Sequence, residues 1–176
     1  MLFPLILSAV ILQRLVELLI AKRNEKWMRS QGAFEAGAAH YPVMVAMHAT
    51  FFISFLLEVI VFKRDLSPFW MVLFGIFLLT QAARIWCLLS LGKFWNTKII
   101  ILPGATVVRK GPYQWLRHPN YVIVTIELLV LPLLFGAYLT AILYTLLNIW
   151  MLSVRIPAEE KALKDATNYR ETFLVK

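Results

Sequence analysis

The chain has 176 residues, of which 60% are hydrophobic and 16% charged, and its net charge is +8. A soluble domain is about half apolar and about a quarter charged, so this composition excludes an ordinary soluble globular protein and puts the excess apolar surface in contact with lipid. The basic residues stand in short stretches between apolar runs, which favours anionic lipid headgroups over nucleic acid as their partners.

Three apolar stretches come first along the chain, at residues 2–21, 41–62 and 68–91. Each has about the 20 residues that cross a hydrocarbon core. In the first stretch Arg14 and Glu17 are expected to pair, because they lie three residues apart on one helical face. Glu58 and Arg84 lie near predicted span ends, so we expect their side chains to reach the membrane interface.

The fourth apolar stretch, residues 121–152, is too long for one ordinary span and too short for two full spans. Pro132 and Gly136 predict a break inside it. We therefore interpret the stretch as a tight hairpin of two helices at 119–134 and 137–154, in which Glu127 is expected to line a cavity. After the hairpin, Pro157 is expected to begin a short cytosolic helix over 157–173.

The placement of basic residues favours five crossings with the N-terminus outside. The cytosolic segments are then 22–40, 92–118 and 155–176, which hold 14 basic residues against two on the outer side. A single span over 121–152 would give nine against seven, and cytosolic loops carry the excess of Lys and Arg.

The predicted fold class is therefore an all-α integral membrane protein with five transmembrane helices. The last two helices form the tight hairpin, and a short cytosolic helix ends the chain. We expect one membrane domain over 1–176, with three spans in 1–91 and a loop, the hairpin and the C-terminal helix in 92–176.

The densest cluster of reactive side chains lies at residues 111–121, just before the hairpin. One interpretation is a helix start, with Pro119 at the first helical position, His118 as cap and Arg117 as an interface anchor. The other is a ligand site, because the N–H groups and dipole of a helix N-terminus favour an anion such as the carboxylate of an amino acid.

A second cluster, Arg155 with Glu159 and Glu160, follows the hairpin. Glutamates in a first helical turn complement the helix dipole, and an arginine often ends a membrane helix. A ligand site is the alternative, because a carboxylate binds a cationic or hydroxyl-bearing group and a guanidinium faces an acidic one. Both clusters fall on the same predicted membrane face, which favours the functional interpretation.

Several common sites are absent from the sequence. It has no G-x-G-x-x-G, no P-loop and no G-x-S-x-G, and no His, Cys and carboxylate cluster has metal-ligand spacing. A Rossmann-type cofactor domain, a nucleophile elbow and a metal centre are therefore excluded.

Taken together, residues 111–121 and the Arg155, Glu159 and Glu160 cluster resemble the isoprenylcysteine carboxyl methyltransferase family. Phospholipid methyltransferases share the general pattern, and the resemblance covers about residues 90–175. It implies S-adenosylmethionine as the methyl donor. Arg155, which would face the acceptor, Arg117 and Glu160 are the implied catalytic residues. The implied cofactor-binding residues are Ala105, Thr106, Val107, Val108, Tyr113, His118, Pro119, Asn120, Tyr121 and Glu159.

The resemblance also implies a function. We expect methyl transfer to a lipophilic acceptor, through a carboxyl or a phenolic or enolic oxygen, at the cytosolic face of a bacterial plasma membrane. A phospholipid N-methyltransferase and an NADPH-dependent membrane reductase of related C-terminal design are the enzymatic alternatives. A small transporter subunit is the alternative that is not an enzyme.

Overall fold

The computed structural model describes residues 2–173. Its α-helices are, in chain order, α1 (Leu2–Ser30), α2 (Tyr41–Val61), α3 (Trp70–Leu91), α4 (Pro119–Leu134), α5 (Tyr138–Ala166) and α6 (Tyr169–Phe173). Two short strands, β1 (Phe34–Ala36) and β2 (Ile99–Ile101), accompany them.

Within residues 2–173, the helices long and apolar enough to cross a membrane are α1, α2, α3 and α5. The chain is therefore a multi-pass membrane protein of predominantly helical structure. Helix α4 is also apolar but has 16 residues. At about 1.5 Å per residue it is roughly 24 Å long, which is less than the ~30 Å of a hydrocarbon core. The predicted fifth crossing, which falls on α4, stays a prediction.

The chain divides into two compact units. The terminal unit contains the residues up to Ala38, then Leu91–Val108, and the residues from Ala158 onward. The central unit contains Ala39–Ser90 and Arg109–Pro157. The expectation of a single membrane domain stays a prediction.

A small antiparallel sheet organises the terminal unit. Phe34 of β1 is opposite Ile101 of β2, and Ala36 is opposite Ile99. The β2 isoleucines are 4–6% exposed, so they supply apolar burial outside the long helices. The sequence interpretation had only an ordered loop here, because three-residue strands are too short to show a period of two.

The end of α1 is fixed to the rest of the terminal unit by polar contacts. The side-chain amide of Asn24 donates to the carbonyl oxygens of Gly92 and Trp95, at 3.1 and 2.7 Å. Lys98 Nζ donates to Glu25 at 3.1 Å and to Glu35 at 3.4 Å. Burial lowers the pKa of Lys98, but these bonds outweigh burial and raise the pKa overall. The lysine therefore stays charged at physiological pH.

In the central unit, Glu58 of α2 caps the first turn of α5. Its carboxylate accepts hydrogen bonds from the backbone N–H of Leu139 at 3.2 Å and of Thr140 at 2.7 Å. Arg64 adds an ion pair at 3.3 Å. Glu58 is 5% exposed, so the expectation that it reaches the interface was wrong. The unsatisfied N–H groups of a helix N-terminus hold the carboxylate inside.

Arg84 of α3 is also buried, at 3% exposure, and forms an ion pair with Glu127 of α4. Arg84 Nε lies 3.1 Å from a Glu127 oxygen, to which Gln81 also donates at 2.7 Å. The expected interface position of Arg84 was therefore wrong, because an internal carboxylate compensates its charge. The expected pair in α1 is confirmed, since Arg14 lies 2.7 Å from Glu17.

The hairpin between α4 and α5 has the predicted break. Gly136 has φ +64°, and the backbone N–H of Ala137 donates to Pro132 O at 2.9 Å, which closes the turn. The predicted helix start at Pro157 was wrong, because α5 continues through this residue to Ala166. A proline inside a helix removes one backbone hydrogen bond, and the neighbouring bonds suffice to continue it.

Candidate active site

Arg155 lies on the interior face of α5. The buried residues of this helix recur every three or four positions, at Ala141, Tyr144, Asn148, Met151 and Arg155, which places the guanidinium on the packed side. Arg155 is 4% exposed. An ionised group at such a position needs polar partners, because burial removes its hydration.

Tyr121 of α4 is one such partner of Arg155. The Arg155 Nε donates to the Tyr121 hydroxyl at 2.9 Å, and its guanidinium carbon lies 5.8 Å from the centre of the tyrosine ring. Below this pair, Asn148 donates to Thr125 at 2.9 Å, and Thr125 donates to the Tyr121 carbonyl at 2.8 Å. These contacts join α5 to α4 next to the pair of Tyr121 and Arg155.

His118 stands at the N-cap position of α4, and Pro119 begins the helix. The imidazole makes no capping hydrogen bond and instead stacks on the Tyr121 ring, with the ring centres 5.4 Å apart and the planes at 20°. The structure thus brings together His118, Tyr121 and Arg155 from the two predicted clusters. Arg117, in contrast, is exposed.

Asn120 lies in the first turn of α4, beside His118. Its Oδ1 atom is buried and accepts no hydrogen bond from any residue in the range 2–173. Buried polar atoms are almost always hydrogen-bonded. This acceptor is therefore available to a donor from outside the range 2–173.

The turn before α4 is fixed by a close approach to α3. Tyr113 is 8% exposed in a short 3-10 turn that begins at Gly111. Gly111 has φ +57°, and a Cβ atom there would lie 2.1 Å from Ser90 Oγ. The Trp115 ring packs edge-on against Trp86 of α3 at 5.8 Å. Glycine is required here for both conformation and space.

The remaining predicted residues belong to the terminal unit. In the segment from Ala105 to Val108, Thr106 is exposed and the other three residues are half-buried. Gly104 N donates to Ala166 O at 2.8 Å, and Val107 N donates to Asn168 Oδ1 at 2.8 Å. The end of α5 and the residues after it therefore hold this loop.

Glu159 and Glu160 lie inside α5, and both are half-buried. The Glu160 carboxylate accepts hydrogen bonds from Lys164 at 2.9 Å and from the Tyr169 hydroxyl at 3.2 Å. Glu160 thus connects α5 to α6. The sequence did not reveal this role, because the partner tyrosine belongs to a separate helix.

A profile of the isoprenylcysteine carboxyl methyltransferase family matches residues 71–165, more than half of the chain. The chain belongs to this family. The matched range contains α3, α4 and most of α5, and therefore both clusters of candidate residues. The resemblance that the sequence motifs indicated is confirmed, and the protein is a membrane methyltransferase.

Two bacterial proteins are similar to this chain over a longer range than residues 71–165. The uncharacterized protein YpbQ of Bacillus subtilis is 44% identical over 163 residues, which cover 93% of this chain and 97% of that protein. An uncharacterized protein of Haemophilus influenzae is 30% identical over 165 residues, with 93% and 96% covered. No solved structure matches significantly. The relatives therefore share the N-terminal helices as well as the family region.

Proposed function

We propose that the protein transfers a methyl group from S-adenosylmethionine to an oxygen atom of a lipophilic acceptor at the cytosolic membrane face. Membership of a membrane methyltransferase family supports the reaction class. The observation that carries the acceptor assignment is the buried guanidinium of Arg155, held by Tyr121 in the central unit.

The residues at the start of α4 fit the methyl donor, whose sulfonium supplies an electrophilic methyl group and whose amino-acid end carries an ammonium and a carboxylate. The orphaned Oδ1 of Asn120 suits a donor such as the ammonium. The N-terminus of α4, which has no side-chain cap, suits the carboxylate. The stacked rings of His118 and Tyr121 offer aromatic faces to a cation.

The resemblance to the family also predicts donor-binding roles for residues of the terminal unit, and these roles stay predictions. The segment from Ala105 to Val108 is anchored by the backbone bonds at Gly104 and Val107, which favours a preformed binding loop. The Glu159 carboxylate suits a hydroxyl or ammonium group. In the central unit, the predicted donor-binding roles of Tyr113 and Pro119, both of which are buried, also stay predictions.

Arg155 is proposed to bind the oxygen head of the acceptor. A desolvated guanidinium attracts a carboxylate or an ionised hydroxyl and repels an ammonium, so it favours O-methylation over methylation of a phospholipid amine. Little acid–base chemistry is needed when the acceptor oxygen is already anionic. The main tasks of the chain are then alignment and exclusion of water. Catalytic roles for Arg117 and Glu160 stay predictions.

The test uses the purified full chain in lipid nanodiscs. Calorimetry with S-adenosylmethionine and with NADPH separates a methyltransferase from a reductase, and we expect binding of the first ligand only. Transfer of labelled methyl groups is then measured to a long-chain fatty acid, an alkylphenol and a phosphatidylethanolamine. We expect label in the carboxyl or phenolic acceptor. Label in the amine alone would contradict O-methylation, and binding of NADPH alone would contradict the whole proposal.

A further inference from the structure

His40 immediately precedes α2, and one of its ring nitrogens is buried without a hydrogen-bond partner in the described part of the chain. Its Nε2 makes no hydrogen bond to any residue of the described range 2–173. The second histidine of this region, His48 inside α2, has its Nδ1 2.8 Å from the Met44 carbonyl. Native structures rarely leave a buried polar atom unsatisfied, so the Nε2 of His40 is available to a group from outside the described range.

The packing of α2 against α5 places this histidine beside the proposed acceptor residue. Phe51 of α2 meets Tyr144 of α5 with the ring centres 5.4 Å apart. The contact Ser54–Thr140 at 3.0 Å shows that the two helices run antiparallel, since a later residue of α2 meets an earlier residue of α5. His40 lies 11 residues before Phe51, and Arg155 lies 11 residues after Tyr144.

This register places His40 and Arg155 at the same end of the α2 and α5 pair, near enough for the charge of Arg155 to act on the imidazole. Both residues belong to the central unit. Tyr121 faces the same guanidinium from α4 through its hydroxyl. A cation, a phenol and an imidazole with an unsatisfied nitrogen therefore lie at the same end of the α2 and α5 pair. The sequence alone had assigned His40 no role.

We propose that His40 is a second acceptor-binding residue, whose Nε2–H donates a hydrogen bond to an oxygen of the same head group that Arg155 binds. The inference rests on the proposed function and deepens it. With the proton on Nε2, the imidazole and the guanidinium both donate to an oxygen head group, and neither group offers an acceptor to a phosphatidylethanolamine ammonium. The alternative is that His40 only begins α2 and has no contact with substrate.

The test compares His40→Ala and His40→Gln with the wild-type chain in nanodiscs, using whichever of the fatty acid and the alkylphenol the wild type methylates. We expect His40→Ala to raise the acceptor KM about 10- to 100-fold, the range for a lost buried hydrogen bond. We expect kcat to change less than the KM, and the S-adenosylmethionine Kd to stay within about twofold. Glutamine keeps a terminal amide near the Nε2 position and is expected to recover most of the loss.

His48→Ala is the matched control, since His48 lies on the same helix and its Nδ1 contacts the helix backbone. We expect it to leave the acceptor KM near the wild-type value. A wild-type acceptor KM in His40→Ala would overturn the inference, and so would loss of donor binding in both His40 variants. An acceptor KM in His40→Gln as high as that in His40→Ala would also overturn the inference. Failure of the proposed function shows separately, because the wild type itself then neither binds S-adenosylmethionine nor transfers label.

Discussion

Arg155 shows how one side chain acquires a role from its surroundings. It is 4% exposed, and its Nε is occupied by the Tyr121 hydroxyl. This bond fixes the plane of the guanidinium, because the donors of an arginine form a rigid fork. A lysine at the same position would keep the charge and lose the fixed plane. The orientation of the charge, as well as its sign, is therefore expected to matter for the acceptor.

Arg155→Lys tests this distinction. We expect kcat/KM for the acceptor to fall about 10- to 100-fold, because a point charge does not reproduce the two-pronged geometry. The Kd of S-adenosylmethionine, measured by calorimetry, is expected to change little. Arg170→Lys is the control, since Arg170 is largely exposed and lies 3.9 Å from Asp165. Unchanged acceptor kinetics in Arg155→Lys would mean that Arg155 has only a structural role.

Asn120 permits a complementary test of the donor side. Its buried Oδ1 has no partner among residues 2–173, and Asn120→Ala removes this acceptor. We expect the Kd of S-adenosylmethionine to rise about tenfold, the value of one typical hydrogen bond to a charged group. Gln114→Ala, in the exposed part of the preceding turn, should leave binding unchanged. Equal Kd values for the two variants would remove Asn120 from the proposed donor site.

At the scale of helices, the sequence predicted the ends of α4 better than it predicted the partners of buried charged side chains. The helix over 119–134 was predicted with the bounds that α4 has, because Pro119 and the Pro132 and Gly136 pair mark its ends locally. Glu58 and Arg84 were misplaced, because their partners Thr140 and Glu127 lie 82 and 43 residues away. Local patterns encode helix ends, whereas compensation of a buried charge depends on tertiary contacts.

The same reasoning applies to the candidate site. The motif residues His118 and Tyr121 were predicted together because they are three residues apart. The contact of Tyr121 with Arg155 spans 34 residues, and only the hairpin brings the two side chains together. His40 was assigned no role, because its position relative to Arg155 depends on the packing of α2 against α5.

The join between α3 and the turn before α4 depends on Gly111. Gly111→Ala is expected to destabilise the protein by about 1–3 kcal/mol, because alanine would strain a left-handed backbone and its Cβ would lie 2.1 Å from Ser90 Oγ. Gly75 of α3 has no atom within 4 Å of an added Cβ, so Gly75→Ala should be neutral or stabilise the helix by about 0.5–1 kcal/mol. Unfolding in mild detergent measures both. A similar loss of unfolding free energy in Gly111→Ala and Gly75→Ala would contradict the proposed role of Gly111.

The ion pair between Arg84 and Glu127 joins α3 to α4 in a buried environment. Glu127→Gln is expected to cost about 3–5 kcal/mol of unfolding free energy, because the arginine charge then remains buried without its carboxylate. The double variant Arg84→Met with Glu127→Leu should recover most of this loss, since it removes both charges. Asp165→Asn breaks an exposed pair and should cost less than about 0.5 kcal/mol. A double variant as unstable as the single one would contradict the explanation.

At the scale of the whole molecule, the distribution of charge sets the expected orientation. Five crossings place 14 basic residues on the cytosolic side and two outside, which agrees with the usual bias of cytosolic loops. The crossing that decides the count is α4, whose 16 residues are few for a hydrocarbon core. If α4 crosses the membrane beside α5, its short length has to be accommodated. Either the bilayer thins locally, or side chains that flank α4 reach the interface.

Single cysteines at exposed positions distinguish the two topologies. Gln31→Cys, Asp65→Cys, Lys110→Cys and Arg170→Cys each add an accessible thiol, whereas the native Cys87 is fully buried. With five crossings, a membrane-impermeant maleimide added to intact cells labels position 65 alone, and the other positions react only after permeabilisation. If α4 does not cross, α5 carries the C-terminal segment outward, and position 170 reacts in intact cells. That result would place Arg155 away from the cytosolic face and contradict the proposed access of the donor.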